Sequence, residues 1–346
     1  MVKRILTAGI ALSPVVIALY FATDLSDTVL FVLAATALIP LAWLIGEATE
    51  HAAHHTGPGV GGFLNASFGN APELIIALLA VHGGLTNVVR GSLAGSVIGN
   101  LLLVLGFSLF FGGKGALDRT SSTVSLLIVG FATALFLIPA IPSWTGNPDR
   151  HSLAVASLPV AIALLCVYLV VTWLALRRHR GLHVSDDPAE MTGWSLRRSL
   201  LVLTGATVLT ALVAEVLVNS IESFSDKAQL SEFFVSVVIV AIVGNAAEHG
   251  GAVVVAARGQ IKLAAEIALS SSAQVAVFLI PVVAILSWAI EPFALSFRPV
   301  ELATLGGATL FTAATLHPGQ SSRLRGALLI AAYAVCAVVF FIAGNR

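Results

Sequence analysis

The sequence is short of charge and of cysteine. Only 10% of its 346 residues are charged and 58% are hydrophobic, whereas soluble domains carry roughly 25% charged residues. Its 18 acidic and 18 basic residues cancel, so no net charge is available to attract nucleic acid. The two cysteines, Cys166 and Cys336, lie in apolar runs and cannot build a disulfide framework or a zinc site. This composition, with a mean hydropathy of +0.97, is that of a polytopic membrane protein.

Long apolar runs predict eleven membrane spans, each of about 20 residues. The first run follows basic residues, and we interpret it as a retained helix rather than a signal peptide because a further span follows almost at once. The predicted spans are 4–22, 27–52, 60–82, 87–111, 120–141, 151–177, 197–221, 231–257, 261–290, 298–316 and 325–344. The predicted segments are a leading helix at 1–26, a five-helix repeat at 27–177, a linker at 178–196 and a second five-helix repeat at 197–346.

Lysine and arginine set the predicted orientation. With the N-terminus in the cytosol, 13 of the 18 basic residues fall on the cytosolic side and 5 on the far side. This asymmetry follows the positive-inside rule and supports the span count, because an error of one span would scramble it. The excess of arginine over lysine suggests a bacterial source, and hence a plasma membrane.

The chain also contains an internal repeat. The stretch "SFGNAPELIIALLAV" at 67–81 returns as "AIVGNAAEHGGAVVVA" at 241–256. The residues paired at a shift of 175 are Gly69 and Gly244, Asn70 and Asn245, Glu73 and Glu248, and Glu47 and Glu222. Just downstream, "SVIGN" at 96–100 pairs with "SSSAQ" at 270–274 at a shift of 174.

The two copies of the motif lie on the third and eighth predicted spans. They are five spans apart, which is an odd number, so the helices that carry them run in opposite directions. Such inverted repeats build secondary transporters, whose ion sites lie near the bilayer midplane where the halves meet. The predicted fold is therefore an all-α membrane protein with one leading helix and two inverted five-helix repeats.

Glu73 and Glu248 place two carboxylates inside apolar spans at matched depth. A charged carboxylate at the bilayer centre costs at least about 2.5–3.5 kcal/mol, so the pair is favourable only when protonated or neutralised by a cation. A site with these two stable forms is suited to exchanging protons for a cation. A structural hydrogen bond between the halves is the alternative.

The polar residues near the glutamates suit a hard cation such as calcium, which takes about six to eight oxygen ligands. Helix-loosening residues that free backbone carbonyls are Gly69, Pro72, Gly244, Gly250 and Gly251. Neutral oxygens come from Asn70, Asn245, Ser96, Asn100, Ser270 and Gln274. Their alternative role is to hold helices together. No cysteine or histidine cluster lies at this depth in the sequence, which disfavours a soft metal.

Other ionisable residues are candidates for proton transfer or for attracting cations into the vestibules. They are Glu47, Glu50, Glu215, Glu222 and His249. Ordinary interfacial carboxylates and a packing histidine are the alternatives, since His249 points about 100° away from Glu248 on a helix. The histidines of "EHAAHH" at 50–55 indicate either a favourable helix-end contact or a proton sensor.

At this point the sequence resembles a known family. "GNAPELIIAL" at 69–78 and "GNAAEH" at 244–249 resemble the two signature regions of the calcium/proton antiporters, the cation/proton branch of the cation/calcium exchanger superfamily. Further matches are "GEATE" at 46–50, "GGFLNASFGN" at 61–70, "SVIGNLLLVLG" at 96–106 and "SSSAQVAVFLIP" at 270–281. The sodium/calcium exchanger branch has a small hydroxyl residue where Asn70 and Asn245 stand, which favours the proton as counter-ion.

The resemblance covers about residues 27–344 and implies eleven helices. It implies that Glu73 and Glu248 bind calcium and protons in turn, and that the helices at 27–52 and 197–221 slide or bend to open each side. Ca²⁺ and H⁺ are then substrates, and no cofactor is expected. His317 and Arg325 stand where relatives tend to have acidic residues, so the family's cytosolic regulation is not carried over.

The sequence therefore predicts a proton-driven calcium exporter, rather than an enzyme, that works by alternating access in a lipid bilayer. A sodium, potassium or manganese antiporter of the same fold remains an alternative. A cation channel is disfavoured because the helices are inverted and interrupted, and a hydrolase lacks a nucleophile–base pair. The glycine spacing Gly91–Gly95–Gly99 indicates close helix contact and only weakly an oligomer.

Overall fold

A computed structural model describes residues 2–145, 149–179 and 193–344, which are almost entirely helical. The first half contains α1 (Val2–Gly9), α2 (Leu12–Ala22), α3 (Asp27–Phe68), α4 (Ala71–His82), α5 (Thr86–Ile98), the π-helix π1 (Gly99–Val104), α6 (Leu105–Gly112), β1 (Gly115–Ala116), α7 (Arg119–Trp144) and α8 (Arg150–His179). Most of the predicted linker at 178–196 lies outside the described residues.

The second half contains a similar series of elements. They are α9 (Leu196–Ala228), α10 (Glu232–Val235), π2 (Ser236–Val240), α11 (Ala241–Gly244), α12 (Ala246–Ala257), α13 (Ile261–Gln274), π3 (Val275–Leu279), α14 (Ile280–Leu286), a 3₁₀ turn (Ser287–Ala289), α15 (Pro299–Leu316), β2 (Gln320–Ser321) and α16 (Arg323–Ala343). The π-helices π1 and π3 follow α5 and α13, the two helices that the sequence repeat pairs.

Eight helical stretches of the described chain are long and apolar enough to cross a membrane, and the pair Glu232–Gly244 and Glu248–Ala257, bent by 61°, makes a ninth. Two of the eleven predicted spans are not among them. The predicted span 60–82 is broken near Asn70, and its second part, α4, has only 12 residues. The predicted span 298–316 corresponds to α15, in which threonine, glycine and Glu301 lower the hydropathy. The count of eleven remains a prediction.

The predicted boundary between the second and third spans lies inside α3. This helix has 42 residues, and a straight helix of that length would measure about 63 Å, twice the hydrocarbon thickness of a bilayer. Phe68 nevertheless packs in the same small apolar cluster as Ile45 and Ala48. A straight helix would place Phe68 about 30 Å from Ala48, so their membership of one small cluster indicates that α3 is not straight between them.

Glycines allow the closest helix packing between the two halves. A Cβ atom on Gly91 would lie 2.9 Å from the carbonyl oxygen of Phe233, and one on Gly95 would overlap the carbonyl oxygen of Val237. The glycine spacing seen in the sequence therefore packs α5 against α10, π2 and α11 within one chain. Gly99, the next glycine in the series, has no atom within 4 Å of an added Cβ.

A small antiparallel sheet of β1 and β2 joins the halves at one membrane surface, with Gly115 opposite Ser321. Lys262 Nζ lies 3.0 Å from Asp118 Oδ2 at the same surface. We call this surface the basic face, because its loops and helix ends also carry Lys114, Arg119, Arg323 and Arg325. It is the surface that the sequence predicts to be cytosolic.

We expect the contribution of Asp118 to stability to depend on pH. The backbone N–H of Ser121, and then the ammonium of Lys262, lower the pKa of Asp118 below its ordinary value of 3.8. A lowered pKa gives stability that is complete above the ordinary value and lost as the pH falls through the folded-state value. The difference in Tm between wild type and Asp118→Asn in detergent is therefore constant near neutral pH and shrinks below about pH 4. A difference that grew on acidification would contradict this explanation.

Candidate cation site

The repeated motif interrupts a helix at the same point in each half. Asn70 (φ −96°, ψ 16°) precedes α4, and Asn245 (φ −87°, ψ 11°) precedes α12. Both backbones therefore lie in the bridge region between helical and extended conformations. Glu73 and Glu248 follow three residues later, in the first turns of α4 and α12, where the positive end of the helix dipole favours a negative charge.

Glu73 is buried against the end of α11. Its side chain is 5% exposed, and a Cβ atom on Gly244 would lie 3.0 Å from Glu73 Cγ, so the glycine leaves room for the glutamate. Among the described residues, neither carboxylate oxygen of Glu73 has a hydrogen-bond partner. Glu248 is near enough for the two charges to repel each other. Buried charges in this arrangement require a proton or a cation to balance them.

A hydrogen-bond network crosses between the halves beside the glutamates. Asn245 Nδ2 donates to Ser96 Oγ at 2.7 Å, and Asn100 Nδ2 donates to Ser271 Oγ at 2.9 Å. Ser271 Oγ in turn donates to Glu248 Oε2. Asn100 Nδ2 also makes a long contact of 3.4 Å with Asn245 Oδ1. The network fixes the positions of both asparagines relative to Glu248.

The chemistry of these side chains is that of an oxygen site. Asn100 Oδ1, like both carboxylate oxygens of Glu73, is buried and has no hydrogen-bond partner within the described part of the chain. In that same part, no group of three or more His, Cys, Asp and Glu side chains is placed to hold a metal ion. Two carboxylates with amide and hydroxyl oxygens suit a hard cation better than a soft one.

The serine that the sequence singled out is not the one in the network. Ser270 is exposed, and its hydroxyl donates to the carbonyl oxygen of Ile267 on its own helix. The adjacent Ser271 is buried and bonds to Asn100 and Glu248. The signal was available in the sequence, because the shift of 175 that relates the glutamates pairs Ser96 with residue 271. Gln274 is half-buried, about one turn along α13 from Ser271.

The predicted vestibule residues lie outside this network. Glu50, Glu215 and Glu222 are exposed, and Glu47 is half-buried with an oxygen 3.8 Å from His51 Nε2. The buried Nε2 atom of His249 has no hydrogen-bond partner among the described residues.

His51 and His55 contact Trp194, two residues before α9, which the sequence did not indicate. The ring of His51 stacks on Trp194 with centroids 4.9 Å apart, and His55 Nε2 lies 2.7 Å from the carbonyl oxygen of Trp194. His54 is exposed. These contacts join α3 to the last residues of the predicted linker.

Apolar spans, interrupted helices and a pair of glutamates, of which Glu73 is buried and Glu248 half-buried, together define a multi-pass membrane protein with the architecture of a cation exchanger. The chain belongs to the sodium/calcium exchanger protein family, whose model matches residues 26–177 and 198–342. It is 38% identical over 329 residues to the Ca²⁺/H⁺ antiporter ChaA of Bacillus subtilis, which covers 91% of this chain and 93% of that protein. It is 36% identical over 343 residues to a Ca²⁺/H⁺ antiporter of Synechocystis, with 91% of each covered.

Solved structures show the same fold. The structure of native YfkE matches with a TM-score of 0.83 and 32% identity, over 99% of this chain and 100% of that chain. The H⁺/Ca²⁺ exchanger CAX matches with a TM-score of 0.77 over 99% of this chain and 92% of that chain. At 16% identity the second match bears on the fold alone.

Proposed function

We propose that this chain is an antiporter that exports Ca²⁺ from the cytosol in exchange for protons. The observation that carries the proposal is the pair Glu73 and Glu248, each in the first turn after an equivalent helix interruption. Relatives that are Ca²⁺/H⁺ antiporters, at 36% and 38% identity over 91% of the chain, support the choice of ions. The proposed location is the bacterial plasma membrane.

Charge balance explains the coupling in this proposal. An empty site with two negative charges inside the membrane-spanning part of the protein costs several kcal/mol, so it is rarely populated and does not reorient. One calcium ion or a proton on each glutamate removes that cost. Export of each calcium ion is therefore coupled to entry of at least one proton per glutamate.

We assign the calcium ligands to the oxygens around this pair. Glu73 and Glu248 supply the charge, and Asn100 Oδ1, which lacks a partner among the described residues, supplies a neutral oxygen. Further candidates are the side chains of Asn70, Asn245, Ser96, Ser271 and Gln274 and the backbone carbonyls of Gly69 and Gly244. The exposed Ser270 of the sequence-based prediction is replaced by Ser271.

The proposed alternating access involves the two long helices α3 and α9. They pack along each other, and α9 also packs on α4, which carries Glu73. Movement of either helix therefore changes the walls around the glutamate. In this proposal the topology is one leading helix and two inverted repeats, at 27–177 and 197–346, with a cytosolic N-terminus.

The proposed vestibules contain the remaining acidic residues of these helices. Glu47 and Glu50 lie near the proposed cytosolic end of the predicted span 27–52, and Glu215 and Glu222 lie on the exposed side of α9. Their negative charges raise the local concentration of cations at each entrance. His249, which follows Glu248 in the chain and has a buried Nε2 atom, is the candidate for proton transfer.

Proteoliposomes with an acidic lumen and a trapped pH dye test the proposed function. Calcium added outside drives lumenal alkalinisation if calcium enters as protons leave. A response to sodium, potassium or manganese, with none to calcium, would retain the exchange mechanism and change the substrate. Calcium entry without proton movement would refute the antiporter proposal and favour a channel.

Ser271→Ala is expected to weaken calcium binding, because it removes the donor to Glu248 and the acceptor for Asn100. Loss of a hydrogen bond to a charged group costs about 1.5–3 kcal/mol, which corresponds to a rise of about tenfold or more in the calcium concentration for half-maximal transport. Ser270→Ala is the matched control, since that hydroxyl bonds only to its own helix and is exposed. Equal effects of the two substitutions would contradict the assignment of Ser271.

A further inference from the structure

A groove between α7 and α15 lies apart from the cation site. Its volume is about 680 Å³, within the range of about 300–1,000 Å³ that is usual for small-molecule sites. Most of its length is apolar, with Leu126, Phe131 and Leu310 among its lining side chains. One end is polar, and Arg119 and His317 lie there. The groove is therefore complementary to an amphipathic ligand, which has one apolar part and one polar part.

The apolar part of the groove opens towards lipid. Leu127, Phe131 and Leu310 are 66%, 48% and 72% exposed, although α7 is a membrane-spanning helix. From Arg119 to Phe131, α7 rises about 18 Å at 1.5 Å per residue. One leaflet of a bilayer has about 15 Å of hydrocarbon. The groove therefore extends over the depth of one leaflet, from the basic face to near the midplane.

The mouth of the groove carries an excess of positive charge. Arg119 Nη2 donates to the carbonyl oxygen of Pro318 at 2.5 Å, which holds the guanidinium at the mouth. The neighbouring carboxylate of Asp118 lies 3.0 Å from Lys262 Nζ, so its charge is already balanced. The segment 317–322, which begins with the lining residue His317, contains no acidic residue. A ligand with a negatively charged head is the complement of this end.

We propose that the groove binds one anionic phospholipid of the leaflet at the basic face. The phosphate lies at Arg119 and His317, and an acyl chain lies between α7 and α15. Basic pockets between membrane helices are typical sites for anionic headgroups. A free phosphate would leave the apolar length of the groove unfilled, and a neutral lipid would leave the cationic mouth without a counter-charge.

Native mass spectrometry of the full chain in detergent tests the proposal without reference to transport. The protein is titrated with dimyristoyl phosphatidylglycerol or with dimyristoyl phosphatidylcholine. We expect the first phosphatidylglycerol to bind more tightly than the first phosphatidylcholine, by about fivefold for each cation at the mouth. Arg119→Gln is expected to weaken only the phosphatidylglycerol binding by about that factor.

Two further variants distinguish lipid binding in the groove from lipid binding on the surrounding surface. Gly130→Trp fills the groove without changing charge, since a Cβ there has only Thr309 Cγ2 nearby, at 4.0 Å. It is expected to abolish the tight phosphatidylglycerol site. Arg323→Gln removes a charge from the basic face that does not line the groove, and it is expected to leave that site intact.

Three results would overturn the proposal. The first is equal binding of the two lipids, or phosphatidylglycerol binding that Arg119→Gln and Gly130→Trp both leave unchanged. The second is displacement of the lipid by glycerol phosphate at equal concentration, which would assign the mouth to a free phosphate. The third is loss of a protein dimer in Gly130→Trp with lipid binding preserved, which would assign the groove to a second copy of the chain.

Discussion

Glu73→Gln is expected to abolish calcium-driven proton movement in proteoliposomes that contain the full chain. The amide keeps the shape of the buried side chain but removes one of the two charges that would balance Ca²⁺. Removing a carboxylate that neutralises a buried cation costs about 2–5 kcal/mol, which corresponds to a loss of about 30-fold or more in calcium affinity. The proton site on that residue is lost as well, so calcium transport and proton transport fail together.

Folding and transport are expected to separate in this variant. A neutral amide is less costly to bury than a carboxylate, so Glu73→Gln should unfold at a temperature no lower than wild type. Glu215→Gln and Glu222→Gln are matched controls, because they make the same change at exposed positions of α9. They are expected to keep the maximal transport rate and to raise only the calcium concentration for half-maximal transport, because their proposed role is to attract cations. A Glu73→Gln protein that still released protons on calcium addition would refute the proposed site.

Gly95→Ala is expected to lower both stability and transport. The added Cβ would overlap the carbonyl oxygen of Val237 and lie 2.7 Å from Ala241 Cβ, and a backbone oxygen has no rotamer by which to move away. Overpacking of this kind costs about 1–3 kcal/mol. The next residue, Ser96, accepts the hydrogen bond from Asn245, so separating α5 from α11 also disturbs the candidate cation site.

Gly99→Ala is the matched control for this prediction. It makes the same change four residues along the same glycine series, where an added Cβ meets no atom within 4 Å. Thermal unfolding in detergent and calcium-dependent proton release are measured on both variants. We expect Gly95→Ala to lower both the unfolding temperature and the calcium-dependent proton release. We expect Gly99→Ala to match wild type in both. Equal losses in the two variants would show that the glycines matter for backbone freedom rather than for close packing.

Most span positions could be predicted from the sequence because bilayer thickness fixes the length of an apolar run. The boundaries differ at 53–59, because this predicted break lies inside α3, which continues to Phe68. The interruption at Asn70 lies between Gly69 and Pro72, where the sequence predicts a loosened helix. Hydropathy alone does not mark it, because a polar turn buried in protein does not lower the hydropathy of the surrounding residues.

The glutamates of the candidate site could be found because charge inside an apolar run is conspicuous. Serines in such a run are not, and adjacent helical residues point about 100° apart. A register error of one residue therefore selected the exposed Ser270 in place of the buried Ser271. The contact between His51 and Trp194 could not be predicted from the sequence, since 142 residues lie between them and no periodic pattern links them.

The hydrogen bonds that cross between the halves tie the evolution of one half to that of the other. Asn245 of the second half donates to Ser96 of the first, and Asn100 of the first half donates to Ser271 of the second. A substitution at one end of such a bond leaves a buried polar group unpaired unless its partner changes too. Selection on each half therefore acts through the other, and positions 96 and 245, like 100 and 271, are expected to covary among homologues.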